Sequence, residues 1–136
     1  MLQPKKVKHR KWQKGRSRDR KIETRGINLD FGTIGLKSLS SSWVTAAQLE
    51  AARKAIQRHL EKSGRLWIRI FPDKPITQRP PEVTMGGGKG TVDHYVFAVK
   101  PGRILFEIDG VKREIAHAAL KTAASKLPLR TKIIEK

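Results

Sequence analysis

The chain has 136 residues, which suits one domain with one core plus a tail. Thirty Lys and Arg against twelve Asp and Glu leave a formal net charge of +18 and a sequence pI near 10.9, self-repulsion that a polyanion relieves, so nucleic acid is the leading partner class. No long apolar run and no basic helix with large hydrophobes on its other face argues for a membrane. The absence of Cys excludes disulfides and thiolate metal sites and fits a reducing cytosol.

Residues 1–25 read as a basic arm. Eleven Lys and Arg face only Asp19 and Glu23 there, a net +9 and half the total charge. With little besides Val7, Trp12 and Ile22 to bury, the arm cannot offset its own ordering entropy and is expected to order on a polyanion. Lys5, Lys6, Lys8, Arg10, Lys11, Lys14, Arg16, Arg18 and Arg20 are the candidate phosphate partners, and Trp12 is placed to stack on an unpaired base. A solvated tail or an organellar transit peptide would share this composition. The first residues lead into further basic residues and not an apolar stretch, so no secretory signal is expected.

Residues 27–36 alternate apolar with polar or small side chains, the strand period, with Gly32 and Gly35 suggesting a bulge or bend. Thr45-Ala46-Ala47-Gln48 has capping-box spacing and opens a helix predicted to run to about Lys62, with Gly64 past its end. Leu49, Ala52, Ile56 and Leu60 fall on one face of it. Lys54, Arg58 and Lys62 line the opposite face, either as a phosphate-facing stripe or as an ordinary solvated surface.

Residues 64–71 and 94–99 are rich in β-branched and aromatic side chains and read as strands. Between them, Pro72, Pro75, Pro80 and Pro81 and the run Met85-Gly86-Gly87-Gly88-Lys89-Gly90 exclude a helix or a central strand, so residues 72–91 are expected to form a long projecting loop. Its side-chain-poor backbone at Gly86, Gly87, Gly88 and Gly90 allows close approach to RNA, with Arg69, Lys74, Arg79 and Lys89 as cations around it. A disordered surface loop is the alternative.

Pro101-Gly102 fits a type II turn, predicting a hairpin between strands ending at Val99 and beginning at Arg103. Ile104, Phe106 and Ile108 then alternate with Leu105 and Glu107. A second helix is predicted over about 112–126, with Ile115, Ala119, Ala123 and Leu127 on one face, and a short strand over 129–134. This order of elements predicts a single α+β domain over 26–136, with a mixed, mainly antiparallel sheet and two helices.

Catalytic patterns are poor. His9, His59, His94 and His117 lack metal spacing, and Asp93-His94 is expected to point its two side chains to opposite faces. The glycine run does not match a phosphate-binding loop, because Gly90 separates Lys89 from Thr91 and a strand follows instead of a helix. No metal, cofactor or small-molecule substrate is expected. The alternatives to an RNA-binding structural protein are a free RNA chaperone or assembly factor, and a phosphate-substrate enzyme using Arg69, Lys89 and His94.

The blocks Trp67-Ile68-Arg69-Ile70-Phe71-Pro72-Asp73-Lys74-Pro75, Met85-Gly86-Gly87-Gly88-Lys89-Gly90 and Val99-Lys100-Pro101-Gly102-Arg103-Ile104 resemble large ribosomal subunit protein sixteen of bacteria and organelles. So do the ends, Met1-Leu2-Gln3-Pro4-Lys5 and Ala124-Ser125-Lys126-Leu127-Pro128-Leu129-Arg130-Thr131, and the family is homologous to large-subunit protein ten of archaea and eukaryotes. The resemblance implies a hammerhead-like α+β fold and a non-enzymatic role in the ribosome, cytoplasmic or organellar. It further implies contact with 23S rRNA, neighbouring large-subunit proteins and A-site tRNA, with P-site tRNA a second candidate, and a loop directed towards the peptidyl-transferase region. The chain departs from the family pattern at Thr84, where Arg is common, at His94-Tyr95, and at Lys112-Arg113, which makes that helix start more basic.

Overall fold

Nine elements follow one another in the computed structural model, which describes residues 1–15 and 21–136. They are β1 (Ile34–Ser38), β2 (Ser42–Thr45), α1 (Ala46–Leu60), β3 (Arg65–Ile68), β4 (Lys74–Gln78), β5 (Thr91–Val99), β6 (Ile104–Asp109), α2 (Arg113–Ala124) and β7 (Thr131–Glu135). The strands form two antiparallel sheets, one in the order β3-β6-β1-β7 and one in the order β2-β5-β4. The α+β expectation holds, with the strands divided between two sheets instead of one.

The start of α1 is as the sequence predicts. Thr45 Oγ1 accepts from the Gln48 amide at 3.2 Å and Gln48 Oε1 accepts from the Thr45 amide at 3.0 Å, so two donors of the first turn are satisfied reciprocally. Leu49, Ala52, Ile56 and Leu60 are buried with Ala55, and the helix stops at Leu60, where Glu61 takes a left-handed φ of 57°. In α2 the expected Ala119 and Ala123, with Leu127 just past its end, are buried together with Ala116 and Leu120, while Ile115 is exposed.

Three further expectations are corrected. Pro101-Gly102 does form the turn, with Gly102 at φ 101° and the Arg103 amide donating to the Lys100 carbonyl at 3.3 Å. But β5 and β6 do not pair across it: β5 joins β2 and β4, whereas β6 joins β1 and β3, so the turn is a corner between sheets and not a hairpin. The expected loop 72–91 contains β4, which pairs along β5 at the edge of its sheet, where Pro75 costs no central ladder bond. The unpaired part is therefore residues 79–90.

The expected strand 27–36 is regular only from Ile34. Before it, the amides of Asp30, Phe31 and Gly32 donate to Glu107 Oε1 at 2.9, 3.0 and 3.1 Å, so a side chain replaces the ladder. Gly32 permits this approach, since a Cβ there would stand 2.7 Å from the Ile108 carbonyl oxygen. Strand β6 is consequently buried on both faces, Ile104 to Ile108 without a break, including Glu107.

Candidate nucleic-acid interface

The outward face of α1 carries Lys54 and Arg58, both exposed, and Lys62 follows just beyond the helix end. None of the three has an ion pair among the described residues, so the stripe offers three unneutralised cations. Arg53, beside the core stripe, is instead bound to Glu50 and donates to Gln57 Oε1 at 2.9 Å. Lys5, Lys6, Lys8 and Arg10 of the arm are exposed without ion pairs among the described residues. Arg16, Arg18 and Arg20 lie outside the described residues.

The rest of the arm has partners that composition does not reveal. Leu2 packs on the core, and the Glu23 amide donates to the Pro101 carbonyl at 2.9 Å. Lys11 Nζ donates to the Lys89 carbonyl at 3.0 Å and Lys89 Nζ donates to the Trp12 carbonyl, so arm and loop root are tied to each other. Lys74 is buried: its Nζ donates to the Lys14 carbonyl at 2.5 Å and lies 4.6 Å from the Trp43 ring centroid, with Lys14 Nζ at 6.0 Å from the same ring. Lys74 is thus largely buried and its ammonium is engaged inside the protein. Trp12 remains 42% exposed, open enough to stack.

Arg69, the cation nearest the start of the expected loop, is also committed internally. It bonds Glu107 through Nη1 and Asp30 Oδ2 through Nη2 at 3.0 Å, and its Cζ sits 5.1 Å from the Phe31 ring centroid. Glu107 has no solvent exposure. Burial pushes its carboxyl up, but the amides of Gly32 and Phe31 and the Arg69 guanidinium outweigh burial and hold it below the usual carboxylate range. Alternation with Ile104 and Phe106 suggests a half-exposed position for Glu107, which the structure does not give it. The only hint in the sequence is an acidic residue inside an apolar strand, with Arg69 as a cation to match it.

Residues 80–89 are all exposed, and Arg79 Nη1 donates to the Thr84 carbonyl at 3.1 Å across the base of the loop. A Cβ built at Gly86, Gly87 or Gly88 meets nothing within 4 Å, so the space on the side-chain side of the backbone there is open, while Gly90 is packed against Gln78 and Arg79. Further cations are exposed that were not among the candidate phosphate partners: Arg65, Lys112, Lys121, Lys126, Arg130 and Lys132. Their neighbours gave no period to detect.

The histidines form no metal centre, and no His/Asp/Glu cluster able to hold a metal occurs among the described residues. His94 Nδ1 and Asp93 Oδ2 are 2.7 Å apart, contrary to the expectation that they diverge. The register shift opposite Ile76 and Thr77 is the cause, because a bulge turns consecutive side chains towards one side. Both remain about half exposed, with no third group to make a catalytic set among the described residues. His59 meets Thr122 at 3.0 Å across the two helices, and His117 meets Glu135 at 2.6 Å.

No helix among the described residues is long and apolar enough to cross a membrane. The basic arm, the cationic outer face of α1 and the glycine loop are carried on a two-sheet α+β body, and residues 4–134 match the family model described as ribosomal protein L16p/L10e. The chain belongs to that family of rRNA-associated structural constituents of the large ribosomal subunit.

Proposed function

We propose that this protein binds 23S rRNA through its arm and the outer face of α1, and that the loop 79–90 reaches the A-site tRNA near the peptidyl-transferase centre, with P-site tRNA within its range. The observation that carries the reading is the loop itself. Ten consecutive residues are exposed, and apart from the Lys89 ties to the arm and the Arg79–Thr84 bond at the root they bury nothing against the body, which supports a partner outside the chain. Arg79 and Lys89 stand at its two roots, and Lys89 links it to the arm. The role is structural, in ribosomes of the cytoplasm or of an organelle, alongside neighbouring large-subunit proteins.

Excision of residues 84–90, with a tight turn joining β4 to β5, tests it. Shortening the connection changes loop-closure entropy by only about 1 kcal/mol, so the domain is expected to fold and assemble. Subunits carrying it are expected to accommodate aminoacyl-tRNA more slowly. Rates equal to the parent's, measured on purified ribosomes, would remove the loop from function.

The arm gives a second expected result. Deleting residues 1–25 should weaken rRNA binding and flatten its salt dependence, by roughly 0.7–0.9 of log-log slope for every phosphate the arm neutralises. Circular dichroism checks that the truncated chain folds, since Leu2 and Glu23 also touch the body. An unchanged slope would confine the arm to that structural contact.

A further inference from the structure

Resting on the RNA-binding reading above, we infer that a groove between Phe31, Trp67 and the Gly64–Gly110 turn pair seats one unpaired RNA base. The groove has a volume of about 490 Å³ and is lined by Phe31, Gly64, Arg65, Trp67, Asp109 and Gly110. Its walls are aromatic. The Phe31 and Trp67 rings stack with centroids 6.0 Å apart and planes at 19°, and Phe31, with the Arg69 guanidinium 5.1 Å from its centroid, is still 57% exposed. Trp67 belongs to β3, an edge strand, so no further strand covers it on that side.

The groove is kept open by its floor. Gly64 and Gly110 take φ of 74° and 81°, and a Cβ on Gly110 would lie 3.1 Å from the Gly64 Cα, while one on Gly64 would lie 2.6 Å from Val111 Cγ1. Both positions therefore require glycine, and the floor of the groove is bare backbone. The lining includes one cation, Arg65, exposed and without an ion pair among the described residues, and the exposed Lys62 and Lys112 lie within two residues of the glycines in sequence.

Aromatic walls with a cation beside them match a base with its flanking phosphates, since every base offers a π-face and the cation takes the backbone. Asp109 adds selectivity. Its Oδ1 accepts from Thr33 Oγ1 at 3.2 Å and from the Gly110 amide at 2.8 Å, leaving Oδ2 without a partner among the described residues and available to an exocyclic amino group. Cytosine carries such a group and uracil does not.

The test uses the full chain and short single strands at fixed salt: oligocytidylate, oligouridylate and a ribose-phosphate strand of equal length without bases. Oligocytidylate is expected to bind roughly tenfold tighter than the baseless strand. Phe31→Leu should remove that gap while leaving the baseless strand's affinity unchanged, and Phe31→Tyr should retain it. Oligocytidylate should also exceed oligouridylate, a preference that Asp109→Ala should abolish. Equal binding of strands with and without bases, or a gap that survives Phe31→Leu, would overturn the inference. So would an Arg-rich peptide that binds in a Phe31-dependent way and leaves RNA affinity untouched, which would assign the groove to a protein tail. Equal binding of the two base-bearing strands would remove Asp109 from it. Salt-dependent binding of the baseless strand reports on the RNA reading separately: if it is present while the gap is missing, only the groove fails, and if no strand binds, both fail.

Discussion

Replacing Arg69 with Met should destabilise the domain by about 3–5 kcal/mol, because it leaves Glu107 as an uncompensated charge with no solvent exposure. Glu107→Leu should also be costly: the amides of Asp30, Phe31 and Gly32 lose their acceptor, and the buried one, at Gly32, costs about 1–3 kcal/mol when left unsatisfied. Glu107→Gln keeps an acceptor oxygen and is expected to be the mildest of the three. The same group sets a pH dependence. Because its folded carboxyl lies below its ordinary range, the stabilisation is fully present above that range and is lost as pH falls through it towards the folded value. Urea midpoints taken from neutral to acid pH check both points. A parent that loses no stability through that window, or an Arg69→Met chain as stable as the parent, would show that the cluster does not anchor residues 28–32.

Reversal of Lys54, Arg58 and Lys62 to Glu together should produce the largest loss of RNA affinity among surface changes. All three are exposed and none is paired among the described residues, so stability should move by no more than about 0.5 kcal/mol per site. If each meets a phosphate, the log-log salt slope of rRNA binding should fall by roughly 2–3 in total, with a large drop in affinity at low salt. Titrating 23S rRNA with a folded variant over a range of salt concentrations gives the number. Parental slope and affinity would mean that α1 presents only a solvated surface, and the phosphate partners would then be Arg65, Lys112 and the C-terminal cations.

The sequence by itself determined what is local. The α1 cap follows from Thr45 and Gln48 at a fixed spacing, its buried stripe from a 3.6-residue period, and the turn at Pro101-Gly102 from two backbone preferences; each is settled within a few residues. Net charge and the exposed lysine and arginine stripe of α1 were equally legible, since charge needs no fold to be counted. Only the tertiary structure decided which strands pair. A turn fixes the direction of the chain but not its partner, so β5 and β6 could leave the same corner for different sheets, and β4 could form because β5 offered it an edge. It also separated cations that look alike in sequence. Arg69 and Lys74 lie in the same specific block as exposed residues, but Arg69 faces a buried carboxylate and Lys74 a backbone carbonyl and the Trp43 ring, so their charge is used inside the protein. Whether a charge meets solvent depends on residues about forty to sixty positions away, as for Arg69 with Asp30 and Asn28 and for Lys74 with Lys14, and no local pattern encodes those.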